Sequence, residues 1–298
     1  MELRHLRYFI AVAEEGLITA AAERLGIQQP PLSNQIRALE RELDVLLFRR
    51  KPRGVELTDA GRALLADARA ILAQIDHAAA ATRRTARGEE GRIAVGFTSS
   101  APFHPFVPRV LRTFREQFPL VSLALEEAGT SEMVADLRSK KIDAAFIRSP
   151  VADPLGLVVV ALLEEEMVAV VPTGHALAAG AAPLPLQALA RETFVLYRRP
   201  VGPGLYDAII AACHAAGFSP NVGQEAPRIT STLNLVAAAL GVSIVPASLQ
   251  RLHMEGVAFR RLKGRARPRA PLNLIFRRGD ASAAVRRFVN LVQKAART

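Results

Sequence analysis

The side chains best suited to recognising another molecule lie on one face of a helix predicted over residues 29–43. Apolar residues recur there at spacings of four, three and four, which predicts a buried face made of Leu32, Ile36, Leu39 and Leu43. The other face and its flanks carry amide, hydroxyl and guanidinium groups, which can hydrogen-bond base edges in a DNA major groove. The residues assigned to this contact are Gln29, Pro30, Pro31, Ser33, Asn34 and Arg37.

Taken alone, this pattern is better explained as an ordinary amphipathic helix whose polar face is solvated. A basic turn follows it, however, and changes the balance. Arg50, Lys51 and Arg53 lie close together with no acid among them, beside a proline and a glycine that favour a turn. A basic run is usually only a solvated loop. Beside a helix-turn-helix pattern it predicts a wing that contacts backbone phosphate or enters a minor groove.

Two shorter helices, predicted over residues 3–14 and 18–25, position the third helix by packing their apolar stripes beneath it. After the wing, residues 59–87 carry apolar side chains at alternating spacings of four and three, which fits a coiled-coil seam. We interpret this helix as a dimerisation helix, the alternative being a long helix that lies on its own domain. The polar segment 87–91, with its two glycines, predicts a hinge.

Beyond the hinge, short apolar runs alternate with amphipathic segments. The runs predict strands at 93–97, 122–127, 144–147, 167–171, 193–197, 242–246 and 272–276. The segments between them predict helices at 106–118, 131–140, 204–217, 231–240 and 282–296. This alternation predicts a mostly parallel α/β sheet. Two clusters of strands, before and after about residue 163, predict two lobes.

Two such lobes would meet in a cleft lined by strand ends and helix N-termini, which is a natural site for an anion. Small hydroxyl groups suit a carboxylate there, and an arginine could add a charge-assisted pair. Each serine or threonine alone is more often a helix cap than a ligand contact, but several converge at equivalent strand ends. The candidate residues are Ser99, Ser100, Thr130, Arg148, Pro203, Gly204 and Thr230.

The charge of the chain is unevenly distributed. The net charge is +11, and residues 260–298 account for all of it, with 12 Lys+Arg and one acid. The high pI therefore does not itself support DNA binding by the amino-terminal segment. The carboxy-terminal excess could be a solvated face, a subunit contact or a second DNA contact. No apolar run of 18 residues or signal peptide occurs, so we expect a soluble cytoplasmic protein with no membrane partner.

Residues for catalysis or metal binding are sparse. The six histidines are scattered, and no phosphate-binding loop, nucleophile elbow or paired-cysteine motif occurs. The single cysteine, Cys213, lies in an apolar helix and is interpreted as a core residue. The run Glu164–Glu166 is interpreted as solvated. We therefore expect no enzyme activity, no cofactor and no metal.

Residues 1–61 resemble the winged helix-turn-helix head of a LysR-type transcriptional regulator. The resemblance departs from the family pattern at Leu17, where serine is usual, at Asp44, where glycine is usual, and at Asn34, where a basic residue is common. Asp tolerates the left-handed conformation better than most residues, so we expect the helix end to survive. The matching residues are Leu3, Leu6, Phe9, Ala21, Ala22, Leu25, Gln29, Pro30, Ser33, Ile36, Leu39, Glu40, Leu43, Leu47, Phe48, Arg50, Leu57, Thr58 and Gly61.

The resemblance implies an α/β protein with an all-α-type head. It would consist of a winged helix-turn-helix over 1–58, a linker (dimerisation) helix over 59–87, and a two-lobed effector domain of periplasmic-binding-protein type over 88–298. Lobe I would comprise about 92–162 and 267–298, and lobe II about 163–266. The segment 235–248 and the turn at Gly129-Thr130 are similar to regulators of aromatic-compound degradation.

The implied partners are double-stranded promoter DNA, RNA polymerase, further copies of the chain in a homodimer or homotetramer, and a small organic acid resembling muconate or benzoate. Two other functions stay open at this point. One is a small-molecule enzyme or carrier on a two-lobed binding fold, which would leave the winged head unexplained. The other is an architectural DNA binder without an effector, which would leave the cleft-forming α/β segment without a role.

Overall fold

A computed structural model of the chain describes residues 1–151, 153–200 and 203–297. The chain divides into two compact units, Met1–Arg84 and Thr85–Thr298. Each unit encloses apolar cores of its own. Among the described residues, no helix has both the length and the apolar character needed to cross a bilayer.

The first unit consists of three helices, a β-hairpin and most of a long helix. The apolar stripes predicted for the first and third helices bury Leu6, Phe9, Leu32, Ile36 and Leu39 in one core. The elements are α1 (Leu3–Glu15), α2 (Ile18–Leu25), α3 (Gln29–Leu43), β1 (Phe48–Lys51), β2 (Gly54–Leu57) and α4 (Asp59–Arg87).

The turns of the head depend on residues that adopt positive φ angles. Gly16 and Gly26 end α1 and α2 with φ of 64° and 65°. Asp44 ends α3 with φ of 52°, which confirms that aspartate can take the position of glycine there. The sequence predicts Leu43 on the buried face, but its side chain is 37% exposed, because the last turn of α3 extends past the core.

Helix α4 is one continuous helix of 29 residues, in agreement with the sequence. Thr58 caps its start, since its hydroxyl accepts a hydrogen bond from the Gly61 amide at 2.9 Å. Along its length Ile71 is 38% exposed and Leu72 and Ile75 are half-buried. Part of the apolar seam is therefore accessible on α4, and its packing against a second copy stays a prediction.

The second unit begins with the last residues of α4 and contains ten strands and five α-helices among its described residues. Its strands are β3 (Glu90–Phe97), β4 (Leu120–Glu127), β5 (Ala144–Ile147), β6 (Leu157–Pro172), β7 (Leu184–Pro185), β8 (Thr193–Tyr197), β9 (Asn221–Ala226), β10 (Ser243–Pro246), β11 (Val257–Lys263) and β12 (Arg269–Arg277). Its helices are α5 (Phe106–Gln117), α6 (Thr130–Arg138), α7 (Pro203–Ala215), α8 (Ile229–Ala237) and α9 (Ala283–Ala296).

The main sheet is mixed, which corrects the expectation of a mostly parallel one. Its order is β4-β3-β5-β12-β6-β11-β7, with β10 also paired to β6. Strands β3, β4 and β5 are parallel, but β12 is antiparallel to both β5 and β6, and β6 is antiparallel to β10 and β11. The antiparallel pairs arise because β6 and β12 run across the unit in opposite directions rather than returning through a helix.

The 16-residue strand β6 joins the two lobes. Its first part pairs with β12 and its last part with β10 and β11. Apolar residues form one core around β3, β5, α5 and α9, and another around β8, β10, α7 and α8. The crossing segment has no apolar core of its own, since Glu164, Glu165 and Glu166 occupy its centre.

The first half of β6, together with β7, β9 and β11, lies outside the strands that the sequence predicts. Strand β9 is mostly polar, and strand β11 is interrupted by basic residues, so neither shows a continuous apolar run. These segments form strands because they pair with a neighbouring strand, although their own β-propensity is low.

The carboxyl end of α4 is fastened to α9 within the second unit. The Arg287 side chain donates to the carbonyl oxygen of Arg87 at 2.5 Å and contacts the Glu89 carboxylate at 3.3 Å. Gly88 has φ of 70°, and a Cβ there would lie 2.4 Å from the carbonyl carbon of Ala283. Only glycine therefore permits this close approach.

A missing cap in the head can be tested directly. Leu17 occupies the N-cap of α2 with extended backbone, 45% exposure and no side-chain cap. We expect Leu17→Ser to stabilise α2 by about 1 kcal/mol, because a serine hydroxyl can accept from a free amide of the first turn. Amide exchange within α2, measured by mass spectrometry, should slow about fivefold. Leu17→Ala is the control, and equal protection in both variants would contradict the assignment of this cap.

Candidate functional site

The polar face of α3 is open to solvent in the head. Ser33 is half-buried, and its hydroxyl oxygen accepts a hydrogen bond from the Gln29 side-chain amide at 2.9 Å. The face presents amide and guanidinium groups above a buried apolar stripe, which is the arrangement that a recognition helix requires. Its exposed members are Gln29, Pro30, Pro31, Asn34 and Arg37.

The predicted wing is the hairpin of β1 and β2, and Arg50, Lys51 and Arg53 are all exposed on it. Lys51 forms an ion pair with Glu56 at 2.5 Å, and this contact lowers the pKa of the Glu56 carboxyl. That pairing reduces the charge that Lys51 offers to a phosphate. Arg50 and Arg53 have no acidic partner among the described residues, so they are the stronger candidates for a phosphate contact.

The wing is held in place by contacts with the helices of the head. The Glu40 carboxylate of α3 accepts hydrogen bonds from the amides of Leu47 and Phe48, at 2.8 and 3.1 Å. Gly54 has φ of 130°, and a Cβ there would lie 2.3 Å from the carbonyl oxygen of Gly16. The hairpin is therefore fixed both to α3 and to the turn between α1 and α2.

A small cavity lies between the two lobes of the second unit. Its volume is about 20 Å³, which is room for about one water molecule. A ligand of several carbon atoms can enter only if the lobes move apart. The lining residues come from strand ends and helix starts, and they are Thr98, Ser99, Ser100, Thr130, Arg148, Ser149, Tyr197, Leu205 and Ile229.

Unpartnered polar atoms converge on this cavity. Among the described residues, the buried side-chain atoms without a hydrogen-bond partner are Thr98 Oγ1, Thr130 Oγ1, Arg148 Nε and Tyr197 OH. All four belong to residues that line the cavity. An unpaired buried polar group costs about 1–3 kcal/mol, so four in one place indicate a surface shaped for a polar ligand.

Arg148 is already engaged in a buried ion pair with Glu165, and the two side chains are 3% and 9% exposed. Glu165 also accepts hydrogen bonds from the Ser248 amide at 2.9 Å and from its hydroxyl at 3.1 Å. Burial lowers the pKa of the Arg148 guanidinium, while the Glu165 carboxylate opposes that shift. The Glu165 carboxylate thus balances the charge of Arg148 at the cavity wall, and the Nε of Arg148 has no hydrogen-bond partner.

Burial also affects Tyr197, whose phenol has a pKa well above its usual range. The hydroxyl therefore stays protonated at neutral pH and can donate a hydrogen bond into the cavity. Nearby, burial lowers the pKa of the His104 imidazole, so its neutral form is favoured. His104 Nδ1 accepts from the Phe106 amide at 3.2 Å, which gives this ring a structural contact.

The predicted cavity residues fall into two groups. Ser99, Ser100, Thr130 and Arg148 line the cavity. Gly204 lies behind its wall, where its amide donates to the Ser149 hydroxyl at 2.8 Å and a Cβ would meet Ser149 Cα at 2.5 Å.

The other two predicted residues, Pro203 and Thr230, are half-buried and do not line the cavity. At the start of α8 it is Ile229, one residue earlier than Thr230, that faces the cavity.

Glu165 corrects the interpretation of the acidic run as solvated. Its neighbours Glu164 and Glu166 remain accessible, but Glu165 is buried because alternate residues of a strand point to opposite faces. The sequence analysis also did not name Tyr197 as a cavity residue. It is the last residue of the predicted strand 193–197, and the sequence analysis named residues that follow other predicted strands. The position of Glu165 within a run of apolar residues, between the two predicted clusters of strands, is the sequence feature that could have indicated its burial.

The described residues contain no group of three histidine, cysteine, aspartate or glutamate side chains placed to hold a metal. Cys213 is buried in α7, and burial raises the pKa of its thiol to about 11. The thiol is therefore protonated at neutral pH and belongs to the core, as the sequence predicts.

Comparison with known families matches both units of the chain. Residues 3–62 match the bacterial regulatory helix-turn-helix proteins of the lysR family, and residues 86–297 match the LysR substrate binding domain. The transcriptional regulator CatR of Pseudomonas putida is 38% identical over 99% of this chain and 100% of the relative. The regulator BudR of Raoultella terrigena is 37% identical over 98% of this chain and 100% of the relative.

Two solved structures extend the comparison. Full-length CbnR in complex with its target DNA has a TM-score of 0.88 and 33% identity, covering 99% of this chain and 100% of that chain. Full-length BenM has a TM-score of 0.61 and 30% identity, covering 99% of this chain and 96% of that chain. With both units matched in order along the chain, the protein belongs to the LysR family of DNA-binding transcriptional regulators.

Proposed function

We propose that a small organic acid binds between the lobes and controls how the head engages promoter DNA. The observation that carries this proposal is the convergence of four unpartnered polar atoms on one inter-lobe cavity. A ligand that completes those hydrogen bonds gains affinity from groups that are otherwise left unsatisfied.

The chemistry of the lining favours a carboxylate. Three hydroxyls can donate to its oxygens, and the free Arg148 Nε adds a charged donor. Thr130 also lies at the first position of α6, where the helix dipole favours negative charge. Leu205 and Ile229 supply an apolar side for the carbon skeleton of the acid.

We propose an acid of the muconate or benzoate type, and hence control of genes for aromatic-compound degradation. The support is the resemblance of residues 129–130 and 235–248 to regulators of that branch, together with the similarity to CatR.

For DNA, we assign base contacts to Gln29, Ser33 and Asn34, and phosphate contacts to Arg50, Lys51 and Arg53. Arg37, Pro30 and Pro31 complete the surface that faces the groove. The support is their shared exposure on α3 and the wing, above a rigid core.

We propose functional segments of 1–58 for DNA binding, 59–87 for dimerisation and 88–298 for effector binding. Lobe I comprises about 92–162 and 267–298, and lobe II about 163–266. Effector would favour one arrangement of the lobes, and subunit contacts within a dimer or tetramer would convert this into a different bend of the DNA or a different contact with RNA polymerase. The ligand can do so only through unequal affinity for the two arrangements. Because such a protein acts on the chromosome, we place it in the cytoplasm.

The test of this function is DNA binding by the purified protein. The DNA upstream of its own gene and of any divergent neighbour is titrated with salt, with and without a panel of aromatic and dicarboxylic acids. We expect competitor-resistant binding whose footprint shifts with one acid. Weak binding to every sequence at every salt concentration, with no response to any acid, would discard the proposal.

Two substitutions in the head separate its two roles. Arg53→Ala should weaken binding almost equally for all sequences and reduce the salt slope by about one counterion, as expected of a phosphate contact. Asn34→Ala should instead change the preference among bases by about 1–3 kcal/mol. Both effects are measured by competition binding with a randomised operator library. If Arg53→Ala reorders the preferred sequences while Asn34→Ala does not, the assignments are reversed.

Two substitutions in the cavity distinguish ligand contacts from structural ones. Tyr197→Phe and Thr130→Val remove hydroxyls that have no partner in the closed protein, so neither should lower its melting temperature. Each should weaken effector binding about 5- to 100-fold, measured by calorimetry. Ser248→Ala is the control, because its hydroxyl is bonded to Glu165 and its loss should destabilise the free protein. Unchanged effector affinity in both cavity variants would rule out this site.

A further inference from the structure

A group of basic side chains covers the outer face of the strands that connect the lobes. We call it the hinge patch, and it surrounds Glu166 of β6. Arg267 is half-buried and the other four are exposed. The members are Arg261, Lys263, Arg265, Arg267 and Arg269, from β11, β12 and the turn between them.

The sheet register brings the strand residues of the patch to one face. Arg269 is paired with Glu166 across β12 and β6, and paired residues of an antiparallel ladder point the same way. Arg261 lies on the other side of β6, opposite Val168, and so shares that face. The distances to the Glu166 carboxylate are 3.9 Å from Arg261 and 3.0 Å from Arg267.

The patch keeps a positive excess after its acids are counted. Glu164 and Glu166 are the acids that β6 presents on this face, against five cations. By contrast, residues 1–58 hold nine Lys+Arg and eight Asp+Glu, so the DNA-binding head has a net charge of only +1. A head so nearly neutral supplies little of the long-range attraction that non-specific DNA binding requires.

We propose that the hinge patch binds the phosphodiester backbone of promoter DNA as a second, sequence-independent contact. DNA is the polyanion that this family holds, and each phosphate neutralised by Lys or Arg releases counterions. Four of the five cations are arginines, whose guanidinium groups suit bidentate contacts with phosphate. Lys and Arg contacts to phosphate do not read bases, so the proposed contact contributes affinity rather than sequence preference.

The position of the patch links this contact to the cavity. Glu165 and Glu166 are consecutive in β6, and Glu165 faces Arg148 while Glu166 faces the patch. The patch and the cavity thus lie on opposite faces of one strand, and any coupling between their ligands would be reciprocal.

The test compares two variants of the full-length protein with the same loss of charge. The patch variant carries Arg261→Gln, Lys263→Gln and Arg265→Gln. The control carries Arg92→Gln, Arg112→Gln and Arg191→Gln, three exposed residues elsewhere in the second unit. All six positions are exposed, so neither variant should unfold, and circular dichroism with sedimentation verifies fold and assembly.

Affinity for a long operator fragment is measured from about 50 to 200 mM salt. We expect the slope of log affinity against log salt to be shallower by about 2.7 in the patch variant than in the unchanged protein. The loss of affinity across this salt range should therefore be about 40-fold smaller for the patch variant. The control should keep the original slope. On a fragment trimmed to the footprint of the heads, all three proteins should show similar slopes.

Equal slopes for the patch variant and the control on the long fragment would overturn the proposal. A patch variant that changes only the sedimentation of the free protein would overturn it as well and assign the surface to a subunit contact. The assay contains no effector, so a failure of the cavity proposal leaves these slopes unaffected, and the two proposals fail separately.

Discussion

The buried ion pair between Arg148 and Glu165 is the interaction on which the second unit depends most. It joins the end of β5 to the crossing strand β6, and Ser248 ties the same carboxylate to the segment after β10. Two charges are removed from water here, and loss of either partner would leave the other uncompensated at a cost of about 3–5 kcal/mol. The pair therefore fixes the Arg148 guanidinium at the wall of the cavity. The carboxylate ligand that we propose would use the Nε that this pair leaves without a partner.

The head obeys a different constraint, because its surface must be rigid to read DNA. Glu40 fixes the wing to α3 through two backbone amides, and Gly54 allows the hairpin to approach the turn at Gly16. None of these groups is suited to touch a base. Their role is to keep α3 and the wing at a constant separation, so that phosphate and base contacts form together.

The head was predictable from the sequence almost residue by residue, since its periodic helices and turn residues are local signals. The sheet was less predictable. Strand β5 is short, apolar and buried, and its bounds follow from the sequence, but three acids at the centre of β6 disguise that part of the strand as a solvated segment. Pairing with distant β12 decides its structure, and no local pattern reveals that. Four of the residues named from the sequence line the cavity, whereas the places of Tyr197 and Glu165 could be known only from the fold.

The junction at Gly88 has a mechanical consequence. Because Arg287 grips the final carbonyl of α4 and Gly88 allows the backbone to touch α9, the end of the long helix turns rigidly with the lobe that contains α9. Any rotation of that lobe carries the last turn of α4 with it, because the two share a hydrogen bond and a close backbone contact. The lobe that contains α9 is therefore the anchor of the helix end.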